Sequence, residues 1–180
     1  MDKSSESSIA RKALRQQLLT LRSDMAQAGR VHLDTLLCQQ LLGADLLQSA
    51  DNIGVYLPIR SEPDLSACYA QWRAQGRRLA VATGKSRAGL DRVLAGGELG
   101  AFFEATRCAE EGISKPDPWM LQSLAEEMDV SPTQMVMVGD SIYDIEMARA
   151  FGCASIGVYY DTGTPLMLQS SEPDAMAATV

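Results

Sequence analysis

From Asn52 onward the chain alternates short apolar runs with segments of helical period, and that alternation limits the possible folds more than any other feature of the sequence. The apolar runs are Asn52-Ile-Gly-Val-Tyr-Leu-Pro58, Arg78-Leu-Ala-Val-Ala-Thr83, residues 102–108, Gln134-Met-Val-Met-Val-Gly139 and residues 154–160. Between them, residues 62–75, 87–94, 116–128 and 141–151 read as helices, the first stopped by Gly76. Strands joined through helices pair in parallel and bury both faces, which fits the near-continuous apolar character of the runs.

Each crossover in such a sheet turns right-handed, so the natural strand order is 3-2-1-4-5, with the strand at Val55 in the centre and those at Val81 and Val136 beside it. The expectation is a Rossmann-like three-layer α/β sandwich with a five-stranded, mostly parallel sheet. Two helices precede any strand. Ile9, Leu14, Leu18, Leu21 and Met25 recur at helical spacing over residues 8–28, and Leu33, Leu36, Leu37, Leu41, Leu42 and Leu46 over residues 31–48. These leucines fit packing on the sheet or on a second copy of the chain. The tail from Thr162 reads as one short helix and a frayed end.

With 180 residues the chain is long enough for one α/β domain with a substantial core. The polar start, MDKSSESS, leads into a Lys/Arg-dotted helix and predicts no export, and no apolar run is long enough to span a bilayer. Cys38, Cys68, Cys108 and Cys153 are scattered without a Cys-x-x-Cys pair, which predicts reduced, buried thiols and a cytoplasmic setting. The single histidine, His32, is far from any cysteine pair, which excludes the usual zinc sites. A formal net charge of -7 opposes non-specific binding to nucleic acid or anionic membrane.

Three segments carry chemistry. Ala82-Thr83-Gly84-Lys85-Ser86 closes a strand and opens a helix, placing the Thr83 hydroxyl and the following N–H groups where a phosphate could dock. It is not a Walker loop, because the position five before Gly84 is Leu79. Ser114-Lys115-Pro116-Asp117-Pro118 sets one lysine before a proline-led helix, where its ammonium could neutralise a phosphoryl oxygen. Met137-Val-Gly-Asp140-Ser-Ile-Tyr-Asp144 puts one acid at the carboxyl end of an apolar strand and another four residues on, a spacing that allows the two to share Mg²⁺. Each has a plainer reading: a strand-to-helix turn, a solvated lysine, and an N-cap followed by an acid that the helix dipole favours.

Taken together and in this order, the segments resemble the haloacid-dehalogenase-like superfamily, in particular its phosphoglycolate-phosphatase-like branch. Thr83 is similar to that family's second motif, Lys115 to its third, and Asp140 with Asp144 to its fourth; the resemblance covers residues 79–165. It implies a phosphate or a phosphorylated small molecule as ligand, and Mg²⁺ as cofactor. The family's first motif, Asp-x-Asp-x-Thr at the end of the first strand, supplies a nucleophile and a general acid. Here that strand ends Tyr56-Leu57-Pro58.

The first half resembles something else. Lys12-x-Leu-Arg15, Tyr56-x-Pro58-x-x-x-Glu62-x-Asp64 and the Gly76-Arg-Arg-Leu strand entry are similar to the N-terminal part of 5-formyltetrahydrofolate cyclo-ligases, over residues 9–80. That resemblance implies ATP contacts from Lys12 and Arg15 and folate contacts from Tyr56 and Glu62. The expectation is a chimera-like chain joined near residues 79–81, with a remnant phosphate site, weakened Mg²⁺ binding and no catalysis. A divergent phosphohydrolase using Glu62 or Asp64, and an ATP- or folate-binding module, are the alternatives.

Overall fold

The computed structural model describes residue 20 and residues 27–58, 62–96, 98–160 and 165–179. The elements, in chain order, are α1 (Gln27–Gly43), α2 (Asp45–Gln48), β1 (Asn52–Val55), α3 (Ser66–Ala74), β2 (Arg78–Thr83), α4 (Arg87–Ala95), β3 (Phe103–Cys108), α5 (Trp119–Met128), β4 (Met135–Gly139), α6 (Ile142–Phe151), β5 (Ala154–Tyr160), α7 (Pro165–Ser170) and β6 (Ala175–Thr179). The sheet runs β3-β2-β1-β4-β5-β6 and every neighbouring pair is parallel. The expected order holds, with Val55 opposite Val81 on one side and Val138 on the other.

Side-chain alternation sorts the strands into two cores. Ile53, Val55, Leu79, Val81, Val136, Val138, Ile156 and Val158 point to one face, where Leu37 and Leu41 of α1, Tyr69 and Trp72 of α3 and Leu90 of α4 cover them. Ala80, Ala82, Ala105, Met135 and Met137 point to the other, under Leu121 and Leu124 of α5 and Met147 of α6. The first face is built from β-branched residues and leucine, the second from alanine and methionine. Small strand residues let the helices approach closely there. A Cβ on Gly54 would lie 3.1 Å from the Met137 sulfur and 3.6 Å from Leu121. A buried leucine such as Leu37 or Leu41 contributes about 1.5–3 kcal/mol over its exposed state, so α1 belongs to the core and is more than a cover.

The sheet has six strands rather than the expected five. The tail does form a short helix, α7, but the chain then adds β6 alongside β5 where a frayed end was expected. The sequence Ala-Met-Ala-Ala-Thr offers little strand propensity, having one β-branched residue. Tertiary hydrogen bonds supply what propensity lacks. The Asp174 carboxylate accepts from the Ser155 N–H at 2.8 Å and from its hydroxyl at 3.1 Å, fixing the entry to β6. The Gln40 side chain both donates to the Ala178 carbonyl, at 2.8 Å, and accepts from the Ala178 N–H, at 3.0 Å. One amide side chain thus serves as a single residue of a further strand and closes the exposed edge.

The helix expected over residues 31–48 is two, α1 and α2, divided at Ala44. Most of the helix expected over residues 8–28, with Lys12 and Arg15, lies outside the described residues. Among the described residues no helix is long and apolar enough to cross a membrane. All four cysteines are buried thiols, and burial pushes the Cys153 thiol up to about 12.

Candidate functional site

The order of connections reverses between β1 and β4. The chain moves outward from β1 through β2 to β3, then returns to the other side of β1 as β4. Sheets of this kind hold ligands beyond the carboxyl ends of the strands at that reversal, because the two crossover helices separate there and leave a crevice. Pro58 follows β1, Thr83 ends β2, and Asp140 follows β4. The topology therefore collects these residues at one edge.

Lys115 joins them from the loop after β3, where its peptide bond to Pro116 is cis. Its ammonium donates to an Asp144 carboxylate oxygen at 2.5 Å and to the Ala82 carbonyl at 2.9 Å. The other Asp144 oxygen accepts from the Ser141 hydroxyl at 2.7 Å and from the Ser141 N–H at 3.1 Å. Ser141 in turn caps α6 by accepting from the Asp144 N–H, so Ser141 and Asp144 form a reciprocal capping box. Asp144 is 1% exposed. It fits under the strand end only because residue 139 is glycine: a Cβ there would sit 2.2 Å from the Asp144 Cβ.

Thr83 is 3% exposed, and its hydroxyl accepts from the Lys85 N–H at 3.2 Å. The loop it begins is pinned from several directions. Ser86 caps α4 by accepting from Gly89, the Arg87 N–H donates to Glu110, and the Arg87 guanidinium pairs with Glu111 at 2.5 Å. Lys85, to which the sequence reading gave no role, extends from this loop across the crevice and donates to the Pro58 carbonyl at 3.2 Å. Burial depresses its pKa, while the carboxylates of Glu62 and Asp140 oppose that shift. The ammonium is therefore within electrostatic reach of both acids. A lysine two residues after a strand-ending threonine was the available signal. Its meaning depends on a carbonyl 27 residues away.

The residues linked to the cyclo-ligase resemblance are placed differently. Tyr56 is 3% exposed and its hydroxyl donates to the Pro63 carbonyl at 2.5 Å, so the ring lies inside the core. Burial first, then the nearby Asp140, holds its phenol well above the ordinary range. Glu62 acts electrostatically on Lys85, whereas Asp64 accepts from the Ser66 N–H at the start of α3. A cleft of about 370 Å³ borders Leu57, Pro58, Asp64, Tyr69 and Val93, next to this edge.

A divalent cation fits this donor set poorly. Mg²⁺ requires near-octahedral oxygen ligands, including one or two accessible carboxylates. Both oxygens of Asp144 are engaged by Lys115 and Ser141, and the backbone after β1 offers Tyr56, Leu57 and Pro58. Among the described residues no group of three or more His, Cys, Asp or Glu is arranged to hold a metal ion.

Comparison with known proteins gives the family. Residues 7–152 match the family profile of haloacid dehalogenase-like hydrolases. That match runs without interruption through residues 79–81, where the sequence suggested a joint, and none of the relatives described here is a cyclo-ligase. The phosphoglycolate phosphatase of Escherichia coli K12 is 29% identical over 121 residues, covering 66% of this chain and 47% of the enzyme. The Vibrio vulnificus YJ016 phosphoglycolate phosphatase is 44% identical over 63 residues, 35% of this chain and 28% of that protein. The chain thus spans about half the length of the E. coli relative, or less in the Vibrio case. A crystal structure of a predicted phosphoglycolate phosphatase from Haemophilus somnus 129PT superimposes with a TM-score of 0.57 at 27% identity, over 63% of this chain and 51% of that one. A predicted phosphatase from Clostridium acetobutylicum, at 22% identity, shares the fold with a TM-score of 0.58 over 64% of this chain and 54% of that one. With motif order, sheet topology and a profile match over most of its length in agreement, the chain belongs to the haloacid dehalogenase-like hydrolase family.

Proposed function

We propose that this chain keeps the phosphate cradle of its family, built on Thr83 and Lys115, and holds phosphate or a phosphorylated small molecule without hydrolysing it. One observation carries the reading. The positions beyond β1, where the family's resemblance leads one to expect a carboxylate pair, are Tyr56, Leu57 and Pro58, the first two buried at 3% and 2% exposure. Loss of the nucleophile from a coupled catalytic set typically costs on the order of a millionfold in rate. Incubated with p-nitrophenyl phosphate and Mg²⁺, the wild-type protein is expected to release nitrophenol no faster than its Lys115→Ala variant. Turnover at rates ordinary for enzymes would sink the proposal.

A second reading, a divergent phosphohydrolase, has one observation in its favour: Glu62, from the segment after β1, acts electrostatically on Lys85 and Tyr56, the same two groups on which Asp140 acts. This reading requires the Glu62 carboxylate to accept the phosphoryl group as an acyl phosphate; beryllofluoride, which mimics that species by binding the free carboxylate, should then form an adduct that is absent in Glu62→Gln. Recombination of two parents and binding of ATP or folate have weaker support. Of the residues they invoke, Lys12 and Arg15 lie outside the described residues and Tyr56 is buried. Calorimetry with ATP and 5-formyltetrahydrofolate is expected to register no heat.

A further inference from the structure

The poor fit between this edge and a divalent cation has a counterpart: the edge already contains a positive charge of its own. Lys85 rises from a loop fixed at both ends, by Thr83 accepting from its N–H and by Ala109 donating to its carbonyl at 3.4 Å. Its ammonium meets the Pro58 carbonyl at 3.2 Å, and Glu62 and Asp140 are the two carboxylates whose fields favour its charge. A backbone carbonyl from the segment after the central strand and carboxylates from the neighbouring loops are hard oxygen donors of the type a small divalent cation takes. The compact, strongly hydrated ammonium of lysine is the side chain best suited to occupy such a place as a point charge.

We propose that Lys85 is a built-in cation that takes the place of a divalent metal at the carboxyl edge of β1, β2 and β4, so that the wild-type chain binds no Mg²⁺ there and removal of the ammonium creates a site that does. The proposal rests on reading this edge as the family's phosphate site, but it concerns the charge at that site and not turnover. Lys115 cannot do the same job, because its ammonium is already committed to Asp144 and to the Ala82 carbonyl. With Lys85 gone, the Pro58 carbonyl loses the ammonium that it accepts from, and the fields of Glu62 and Asp140 act on whatever cation takes its place.

The test is titration of the full chain with Mg²⁺ by calorimetry, with Tb³⁺ luminescence as an independent readout. Wild type and Lys85→Arg, which keeps the charge, are expected to give no binding at millimolar Mg²⁺. Lys85→Met, which keeps the length and loses the charge, is expected to bind in that range, with an affinity at least about tenfold above the upper limit set by the wild-type titration, given the energy of one unit charge at contact distance near a surface. Asp140→Asn added to Lys85→Met should abolish the acquired binding, and circular dichroism of each variant checks that it is folded. Equal affinity in wild type and Lys85→Met, including no binding in either, overturns the proposal. Hydrolysis of p-nitrophenyl phosphate by the wild type would defeat the silent-phosphatase reading and leave this titration to be judged separately.

Discussion

Lys115 and Asp144 show how much of this protein's chemistry is decided by single side chains. The pair is nearly dry, with side-chain exposures of 12% and 2%, so neither charge has water to fall back on. Removing one partner from such a pair leaves an uncompensated buried charge, at a cost of about 3–5 kcal/mol. Lys115→Ala is therefore expected to lower the unfolding free energy in urea by roughly 3 kcal/mol, and Lys115→Ala with Asp144→Leu by clearly less. A loss smaller than about 1 kcal/mol in the single variant would show that water reaches Asp144 after all. Gly139→Ala is a purely steric test, since its new methyl would fall 2.2 Å from the Asp144 Cβ; a loss of about 1–3 kcal/mol is expected. At this scale the sequence was readable wherever local spacing carries the meaning. Thr83, Lys115, Asp140 and Asp144 could be picked out by their positions relative to strand and helix ends. Lys85 could not, because what makes it distinctive is the Pro58 carbonyl, which only the tertiary fold brings to it.

Among the elements, β1 to β5 and the helices between them were legible, since apolar runs and helix caps record them directly. β6 was not. Its alanines give no strand signal, and the groups that hold it, Ser155, Asp174 and Gln40, belong to other parts of the chain. Gln40→Ala is expected to speed amide exchange through Ala175–Thr179 while β1 and β4 keep their protection, with a stability loss of about 1 kcal/mol. Unchanged exchange in β6 would mean that pairing with β5 alone secures it. Helix starts were also misplaced by a few residues. α5 begins at Trp119 rather than near Pro116, because Asp117 accepts from the Trp119 N–H and starts the helix only after the Pro118 turn.

For the molecule as a whole, its two tryptophans happen to report on the two layers. Trp72 lies in the first half of the chain, fully buried under the valine and leucine face, while Trp119 packs on the alanine and methionine face. If the halves of the chain were separate folding units, they would unfold separately. β1 and β2, however, pair across the position where a joint was expected, and one core runs from Leu37 to Ala177. Trp72→Phe and Trp119→Phe, each followed by the fluorescence of the indole that is left, are expected to share one denaturation midpoint once the stability cost of each substitution is subtracted. Two separated transitions would divide the molecule in two.

The contact between Gln40 and Ala178 also governs the order in which the structure can be completed. It spans 138 positions, and α1 packs against β6. A ribosome releases the helix long before the strand that holds it exists. Until the last segment emerges, the leucines of α1 have only part of their partner surface, and assembly waits for a closure whose entropy grows with the logarithm of the intervening chain. The nascent protein therefore carries this leucine-bearing helix incompletely covered until β6 has emerged, which makes that helix a natural place for a chaperone to hold it.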